Sequence, residues 1–160
     1  MPTRSDVSIR PARPEEAAAL TALSLRSKAH WGYDADFMAR CVAVLTVDPA
    51  AIAEGRIFVA VDGEDRALGV AGIEARDEPG ACEVERLFVA PEAMGGGIGR
   101  ALFERLVAWM NERGYTRLMI LSDPQAEAFY RRCGAVRLGM APSDAIPDRE
   151  LPRLAYTLPG

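Results

Sequence analysis

Two acidic side chains stand in an otherwise apolar stretch of the sequence. Glu83 and Glu85 belong to the run 81–89, whose composition predicts a β-strand. Residues two apart on a strand point to the same face, so the two carboxylates are expected to lie together. A carboxylate beside apolar side chains holds a proton more tightly than one in water, which suits general acid–base chemistry. The alternative is that both are solvated, or paired with Arg86 or Arg105.

This strand leads into a glycine-rich loop and then a helix. Three consecutive glycines, Gly95 to Gly97, precede the predicted start of the helix at Ile98. The first turn of a helix has unpaired backbone N–H groups and the positive end of the helix dipole, which together favour a phosphate ligand. Two common phosphate motifs do not fit, because Gly99-Arg100-Ala101 lacks the lysine of a P-loop and the third glycine of a dinucleotide fingerprint. The alternative is a tight strand-to-helix turn without a ligand.

The cysteines and the single histidine give weaker signals. Cys41, Cys82 and Cys133 have no metal-ligand spacing and cannot all pair, so reduced thiols and no metal site are expected. Cys133 has no histidine partner in the sequence, which favours core packing over a nucleophilic role. His30 is expected to be structural rather than catalytic.

Length and composition indicate one globular domain over residues 1–160. Hydrophobic residues make up 49% and charged residues 26% of the chain, the usual balance for such a domain. The net charge is −4, whereas a nucleic-acid-binding protein usually has an excess of basic residues. No apolar run approaches the roughly 20 residues that span a bilayer, and the N-terminus has no signal-peptide core, so no membrane association and a cytoplasmic location are expected.

The residues that could do chemistry must be positioned by the elements around them. Gly69 and Gly72 either weaken their strand or mark a bulge or a close backbone approach. The segment after Gly139, rich in proline and aspartate, is expected to be loosely built. Apolar periodicity and turn residues predict strands at 7–10, 57–61, 68–75, 81–89, 118–121, 135–140 and 154–158, and helices at 14–29, 34–45, 98–113 and 125–133, with a short helical turn after Asp48-Pro49.

The order of these elements predicts the fold class. The strand at 81–89, the helix at 98–113 and the strand at 118–121 form a βαβ unit, so its strands should be parallel neighbours with a right-handed crossover. The strands that precede this unit in the chain are predicted to form an antiparallel meander. The fold is therefore α+β, with a mixed, mostly antiparallel sheet of six to seven strands and helices on both faces. Ligands collect at the carboxyl ends of parallel strands, where the glycine loop and Ser122-Asp123-Pro124 meet.

Three segments together resemble a known family. They are Glu85–Pro91, Gly95–Leu102 and Ala126–Ala135, the last with its Phe-Tyr-x-x-x-Gly pattern. In this combination and separation they are similar to the GNAT acetyltransferase superfamily, and the resemblance runs from Ile9 to Tyr156. It implies the GNAT fold with a splayed pair of parallel strands, acetyl-CoA as the co-substrate and, as in many relatives, a homodimer.

The resemblance also implies where CoA would bind. The loop and helix start would hold the pyrophosphate, and the strand before them would pair with the pantetheine arm. The chain departs from the family pattern at Met94 and Gly96, where polar or basic residues are usual, and at Asp123, where asparagine is frequent. Weaker CoA binding is therefore expected. The implied cofactor-binding residues are Leu87, Phe88, Val89, Met94, Gly95, Gly96, Gly97, Ile98, Gly99, Arg100, Asp123, Gln125, Ala126, Phe129 and Tyr130.

The resemblance points to two catalytic side chains. Glu85 would be the general base, with Glu83 or a water as alternatives, and Tyr130 would protonate the leaving thiolate. A backbone N–H near Val89 would stabilise the oxyanion. The residues expected at the acceptor are Trp31, Tyr33 and Glu83, where the aromatic faces suit an amine or a cation, although both rings could instead cover the core.

These expectations favour an N-acetyltransferase that acts on a primary amine of a small molecule or amino acid by direct attack. One alternative is a protein or peptide acceptor. The other is a non-catalytic CoA-binding sensor, suggested by the loss of polar groups at Met94 and Gly96.

Overall fold

Seven strands form one sheet in the order β1-β2-β3-β4-β5-β7-β6. The computed structural model describes residues 6–160. Only the β4–β5 pair is parallel among the described strands, as the sequence predicted. The strands are β1 Ser8–Pro11, β2 Ile57–Val61, β3 Ala67–Ala75, β4 Ala81–Val89, β5 Arg117–Leu121, β6 Val136–Pro142 and β7 Glu150–Thr157.

Two of the five α-helices in residues 6–160 begin at aspartates whose side chains cap them. Asp34 Oδ1 accepts from the backbone N–H of Phe37 at 2.9 Å, and Asp48 Oδ1 accepts from that of Ala50 at 2.9 Å. These contacts satisfy N–H groups that have no partner within the helix. The helices are α1 Ala17–Ala29, α2 Ala35–Leu45, α3 Pro49–Ala53, α4 Ile98–Glu112 and α5 Glu127–Arg132. No helix among residues 6–160 is both long and apolar enough to cross a membrane.

The helices cover both faces of the sheet, which confirms the predicted α+β class. On one face, α4 packs close to Gly69 of β3, where an added Cβ would lie 2.9 Å from a methyl group of Leu102. On the other face, α1 and α2 approach β4 through Arg86, which binds Ser24 and the carbonyl of Leu45. A side chain at Gly69 would therefore fit only with a shift of its neighbours, which agrees with the close approach predicted as one alternative for this glycine.

The parallel pair separates soon after it forms. Ala81, Cys82 and Glu83 pair with Arg117, Leu118 and Met119, and no further β4–β5 pairing exists among the described residues. The rest of β4 continues to pair with β3 up to Val89. One edge of β4 is therefore left open along Val84–Val89, directly before the glycine-rich loop.

Two parts of the chain differ from the predictions. The segment after Gly139 is more ordered than expected, since β6 runs to Pro142 and β7 begins at Glu150, where it pairs along both β5 and β6. Helix α4 also buries Phe103 and Trp109, which widen the predicted apolar face. Pairing on both sides gives β7 a stability that its proline-containing sequence does not suggest.

Candidate active site

A cavity of about 670 Å³ opens where β4 and β5 separate. Its walls come from α1, α2, β3, β4, the glycine-rich loop, α4, α5 and the β6–β7 loop. Of the site residues expected from the sequence, Gly96 and Tyr33 do not line this cavity. Those that do are Trp31, Glu83, Glu85, Leu87, Phe88, Val89, Met94, Gly95, Gly97, Ile98, Gly99, Arg100, Asp123, Gln125, Ala126, Phe129 and Tyr130.

The glycine-rich loop reaches the start of α4 through left-handed backbone conformations. Gly95 has φ +84° and Gly97, the N-cap of α4, has φ +81°. Such angles strain any residue with a Cβ, which explains two of the three glycines. No side chain caps the N-terminus of this 15-residue helix. Its first N–H groups are therefore available to an anion.

Two helix starts meet beside the open edge of β4. A Cβ at Gly99 would lie 3.2 Å from the Phe129 ring, so the missing side chain allows α5 to approach α4. Phe129 and Ile98 both line the cavity. The open β4 edge, the α4 N-terminus and the α5 wall together form a channel that can hold an extended chain ending in phosphate.

The Glu85 carboxylate forms an ion pair with Arg86, which was one of the alternatives predicted from the sequence. Its two carboxylate oxygens accept from Arg86 Nε at 2.8 Å and from Arg86 Nη2 at 2.9 Å. The Arg86 side chain is only 1% exposed. Glu85 itself lines the cavity, so its carboxylate has a charged partner on one side and the cavity on the other.

The other carboxylates at this end of the cavity differ in their partners. Glu83 forms ion pairs with Arg76 and with Arg153, the latter at 3.3 Å. Glu74 lies directly opposite Glu83 in the β3–β4 register. Among residues 6–160, Glu74 forms no hydrogen bond and no ion pair through its carboxylate. Partial burial, together with the negative charges of Glu85 and Glu83, raises the pKa of Glu74.

Tyr130 lines the cavity from α5 and is 6% exposed. Its ring packs edge-on against Phe129, with ring centroids 5.2 Å apart, and against Phe103. Burial, and to a lesser degree Cys133 and Asp123, raises the pKa of Tyr130 well above its ordinary value. The phenol therefore keeps its proton at neutral pH and can act as a donor.

Asp123 joins the two halves of the cavity wall. Its Oδ2 accepts from Tyr33 Oη at 2.7 Å and from Lys28 Nζ at 3.2 Å, while Oδ1 accepts from the backbone N–H of Gln125 at 2.9 Å. Tyr33 Oη in turn accepts from Arg149 at 2.9 Å. Burial alone would raise the pKa of Asp123, but these hydrogen bonds outweigh it, so that the pKa is lowered. The Asp123 carboxylate is thus engaged by groups of the acceptor wall.

The two predicted acceptor aromatics lie in different settings. Trp31 is 42% exposed and lines the cavity, so its ring is available to a ligand. Tyr33 stacks on Phe37 with ring centroids 4.1 Å apart, and the Arg149 guanidinium lies 5.2 Å from its ring. Tyr33 therefore lies in the wall behind the cavity, where the Arg149 guanidinium covers its ring.

Sequence reasoning missed Glu74, Lys28 and Arg149 as residues of this site. All three line the cavity. None of them belongs to a motif with a diagnostic spacing, because Lys28 and Arg149 meet Asp123 only through tertiary structure. Glu74 lies within the glycine-containing strand β3 and gave no signal beyond its charge. Among residues 6–160, no group of three or more His, Cys, Asp or Glu side chains is arranged to hold a metal ion.

The chain is similar to known proteins in sequence and in fold. An aminoglycoside N(6')-acetyltransferase type 1 from Stenotrophomonas maltophilia is 32% identical over 137 residues, which cover 79% of this chain and 84% of that protein. A GCN5-related N-acetyltransferase from Rhodopseudomonas palustris superposes with a TM-score of 0.75 at 20% identity, covering 94% of this chain and 95% of that one.

A third similar structure was determined with a ligand. The yncA protein from Salmonella typhimurium, solved with its cofactor acetyl-CoA, matches with a TM-score of 0.68 at 21% identity, covering 96% of this chain and 95% of that one. The model of the acetyltransferase (GNAT) family matches residues 23–135. Because that match takes in the open β4 edge, the glycine-rich loop and α5, this chain belongs to the acetyltransferase (GNAT) family of enzymes.

Proposed function

We propose that this enzyme transfers an acetyl group from acetyl-CoA to a primary amine of a small molecule. The observation that carries the proposal is the single cavity in which an open strand edge and a free helix N-terminus face a set of carboxylates. The strand edge and helix start suit a phosphate-bearing extended donor, and the carboxylates suit a cationic acceptor. Acetyl-CoA supplies the acetyl group in activated form, as a thioester.

The donor would lie along β4 and end at α4. Of the backbone groups of Leu87, Phe88 and Val89, those that point away from β3 are donors and acceptors without a strand partner, which suits the amides of an extended arm. The N–H groups at the α4 start, from Gly97 to Arg100, suit a pyrophosphate. Arg100 is the one basic side chain of this segment and adds a charge-assisted contact.

Because Met94 and Gly96 have no polar or charged side chain, backbone N–H groups would provide most of the phosphate binding. The wall on the far side comes from Asp123, Gln125, Ala126, Phe129 and Tyr130, of which the aromatic residues would contact the arm through their faces. Weaker binding of acetyl-CoA than in a relative with two basic loop residues follows from this composition.

Proton transfer would be divided between two ends of the cavity. Glu85 would take the proton from the acceptor ammonium, directly or through a water, with Glu83 as the alternative. Tyr130 keeps its proton at neutral pH, as any phenol does, and lines the cavity from α5, so it is placed to donate to the departing thiolate. A backbone N–H near Val89 would stabilise the oxyanion of the tetrahedral intermediate.

The acceptor would enter at the end formed by Trp31 and the carboxylates. Glu74 and Glu83 face this end from neighbouring strands, and the exposed Trp31 ring offers a cation–π surface. The similarity to an aminoglycoside acetyltransferase supports a small acceptor with several amines. The homodimer and the cytoplasmic location stay predictions from the sequence, as does the single domain over residues 1–160.

Calorimetry with acetyl-CoA followed by a thiol-release assay tests the proposal. The assay panel contains simple amines, polyamines, aminoglycosides and lysine-containing peptides. We expect binding of acetyl-CoA and turnover of a small amine that falls in Glu85→Gln, with Glu64→Gln as the control because Glu64 is exposed in the β2–β3 turn outside this cavity. Faster turnover of peptides would indicate a protein acceptor, and binding without any turnover would indicate a sensor. Absence of binding at millimolar acetyl-CoA would contradict the proposal.

A further inference from the structure

Glu85 and Arg86 are adjacent on a strand, yet their side chains touch. On a regular strand neighbouring side chains point to opposite faces. Here the β3–β4 register shifts, because Gly72 pairs with Arg86 and Ile73 pairs with Val84, which leaves Glu85 as an extra residue. Such a β-bulge re-aims the side chains beside it. The bulge thus brings the Glu85 carboxylate and the Arg86 guanidinium to the same side.

The Arg86 guanidinium is fixed on every side. Nε and Nη2 donate to the two oxygens of Glu85. Nη1 donates to the carbonyl of Leu45 at 2.7 Å and to Ser24 Oγ at 3.1 Å, and Nη2 also donates to the carbonyl of Thr46 at 3.4 Å. An arginine has five N–H groups, so all of them have an acceptor. The guanidinium therefore ties the Glu85 carboxylate to α1 and to the end of α2.

Gly72 supplies the space that the carboxylate occupies. An added Cβ at Gly72 would lie 2.4 Å from Glu85 Oε1 and 2.8 Å from Ile57 Cδ1. Gly72 lies in the middle of β3, where glycine is unfavourable for strand stability. Its backbone φ lies outside the left-handed region, so any residue could adopt it. The absence of a side chain at Gly72 is therefore needed for the carboxylate and not for the backbone.

We propose that Gly72 and Arg86 are positioning residues that hold the Glu85 carboxylate in one orientation toward the acceptor end of the cavity. The proposal rests on the proposed function, since it assigns these residues to the amine side of the same reaction. A bidentate guanidinium fixes the plane of its carboxylate and leaves the remaining lone pairs of the oxygens to the cavity. Glu85 then meets an acceptor ammonium without reorganising first.

Other charged groups line the same cavity around Glu85. They are Glu83 on β4, Glu74 on β3, Lys28 on α1 and Asp144 in the β6–β7 loop. Lys28 is paired with Asp123 and Glu83 with Arg76 and Arg153. Arg86 is the charged group that contacts Glu85 directly, so its removal should have the largest effect on the orientation of the Glu85 carboxylate.

Gly72→Ala is the first test, because it displaces the carboxylate and leaves every charge in place. We expect kcat/KM for the amine to fall by about tenfold or more, while the KM for acetyl-CoA is unchanged, because a small misplacement of a reacting group is costly. Gly69→Ala is the matched control. It crowds Leu102 and Ile98 on the opposite face of the same strand. Equal losses in both variants, or a wild-type rate in Gly72→Ala, would overturn the proposal.

Substitution of Arg86 is the second test. Gln cannot hold both oxygens of the Glu85 carboxylate, so in Arg86→Gln we expect kcat for the amine to fall by about tenfold or more while the KM for acetyl-CoA is unchanged. Arg86→Lys keeps a charge and should restore part of the rate, although a single ammonium cannot hold both oxygens as the guanidinium does. A wild-type rate in a folded Arg86→Gln protein would contradict the assignment.

Crystal structures of the variants separate this proposal from the proposed function. They report the orientation of the Glu85 carboxylate independently of turnover. We expect the carboxylate to be displaced from Arg86 in Gly72→Ala and to keep its wild-type orientation in Gly69→Ala. If no amine is acetylated but the carboxylate is displaced as expected, the reaction is wrong and the positioning is right. An undisplaced Glu85 carboxylate in a folded Gly72→Ala protein would overturn the positioning.

Discussion

The hydroxyl of Tyr33 donates a 2.7 Å hydrogen bond to the carboxylate of Asp123, 90 positions away in the chain. This contact connects the loop between α1 and α2 to the end of β5. Lys28 and Arg149 surround the same carboxylate, at 3.2 Å and 3.7 Å. The Asp123 side chain is only 14% exposed. It therefore serves as a structural link between the acceptor wall and the donor channel, whatever it contributes to CoA binding.

Asp123→Asn should destabilise the fold at neutral pH. The change weakens hydrogen bonds to a charged group, so a loss of about 1–3 kcal/mol in the free energy of unfolding is expected. Because the pKa of Asp123 is lowered in the folded state, its contribution is present above the ordinary aspartate pKa and is lost as the pH falls through the lowered value. Urea unfolding of the variant and the wild type at pH 7 and at about pH 3 measures the difference in their free energies of unfolding.

Tyr33→Phe is the control for this measurement. It removes one hydroxyl and keeps the ring on Phe37, so a smaller loss of about 0.5–1.5 kcal/mol is expected. An Asp123→Asn protein as stable as the wild type at pH 7 would show that the network adds nothing to the fold.

Tyr130→Phe should lower turnover and leave acetyl-CoA affinity unchanged. The ring packing on Phe103 and Phe129 is kept, and only the proton donor is lost. A general acid contributes about 10²- to 10⁴-fold, so kcat should fall by about 10² or more. Steady-state kinetics and calorimetry with acetyl-CoA give the two quantities. Tyr156→Phe is the matched control, because Tyr156 also packs on Phe103 but lies outside the cavity. Equal rates in the two variants would remove Tyr130 as the acid.

Met94→Arg should tighten binding of acetyl-CoA. Met94 lines the donor end of the cavity just before the uncapped start of α4, where a guanidinium can reach a pyrophosphate. A charge-assisted contact of about 1.4 kcal/mol corresponds to a tenfold lower Kd. The gain should shrink as salt is added.

Val136→Arg is the control for Met94→Arg. Val136 is 65% exposed on β6 and does not line the cavity, so the variant adds the same charge elsewhere. A similar gain in both variants would indicate a general effect of net charge. No gain in Met94→Arg would contradict the placement of the pyrophosphate at this loop.

Glu74→Gln should raise the midpoint temperature of thermal unfolding at pH 7 but not at about pH 4. The pKa of Glu74 is raised in the folded state by partial burial and by Glu85 and Glu83. The fold therefore favours the protonated form, and stability is lost as the pH rises through the raised pKa. Glutamine resembles the protonated acid, so the difference between variant and wild type should appear only at the higher pH. Thermal unfolding at the two pH values checks this.

Glu64→Gln is the control, because Glu64 is an exposed residue of the β2–β3 turn away from the cavity. A Glu74→Gln protein that is less stable than the wild type at pH 7 would show that Glu74 has a favourable partner in the folded state.

The sequence by itself determined the order of elements, the parallel pair and the glycine-rich turn into α4. Those features depend on local signals: alternation in strands, caps such as Asp34 and Asp48, and glycines at Gly95 and Gly97 that the backbone requires. The segments that carry the resemblance, from Glu85 to Pro91 and from Gly95 to Leu102, are contiguous. Local signals can therefore be read without knowing which residues meet across the fold.

Only the tertiary structure decided how the acceptor end is arranged. From the sequence, Arg86 was a possible partner of Glu85 because the two are adjacent. On a regular strand their side chains would point to opposite faces, and the bulge opposite Gly72 brings them to the same side. Asp123 met Tyr33, Lys28 and Arg149 across distant parts of the chain. Pairing between charges depends on which elements pack together, and no spacing within the sequence encodes it.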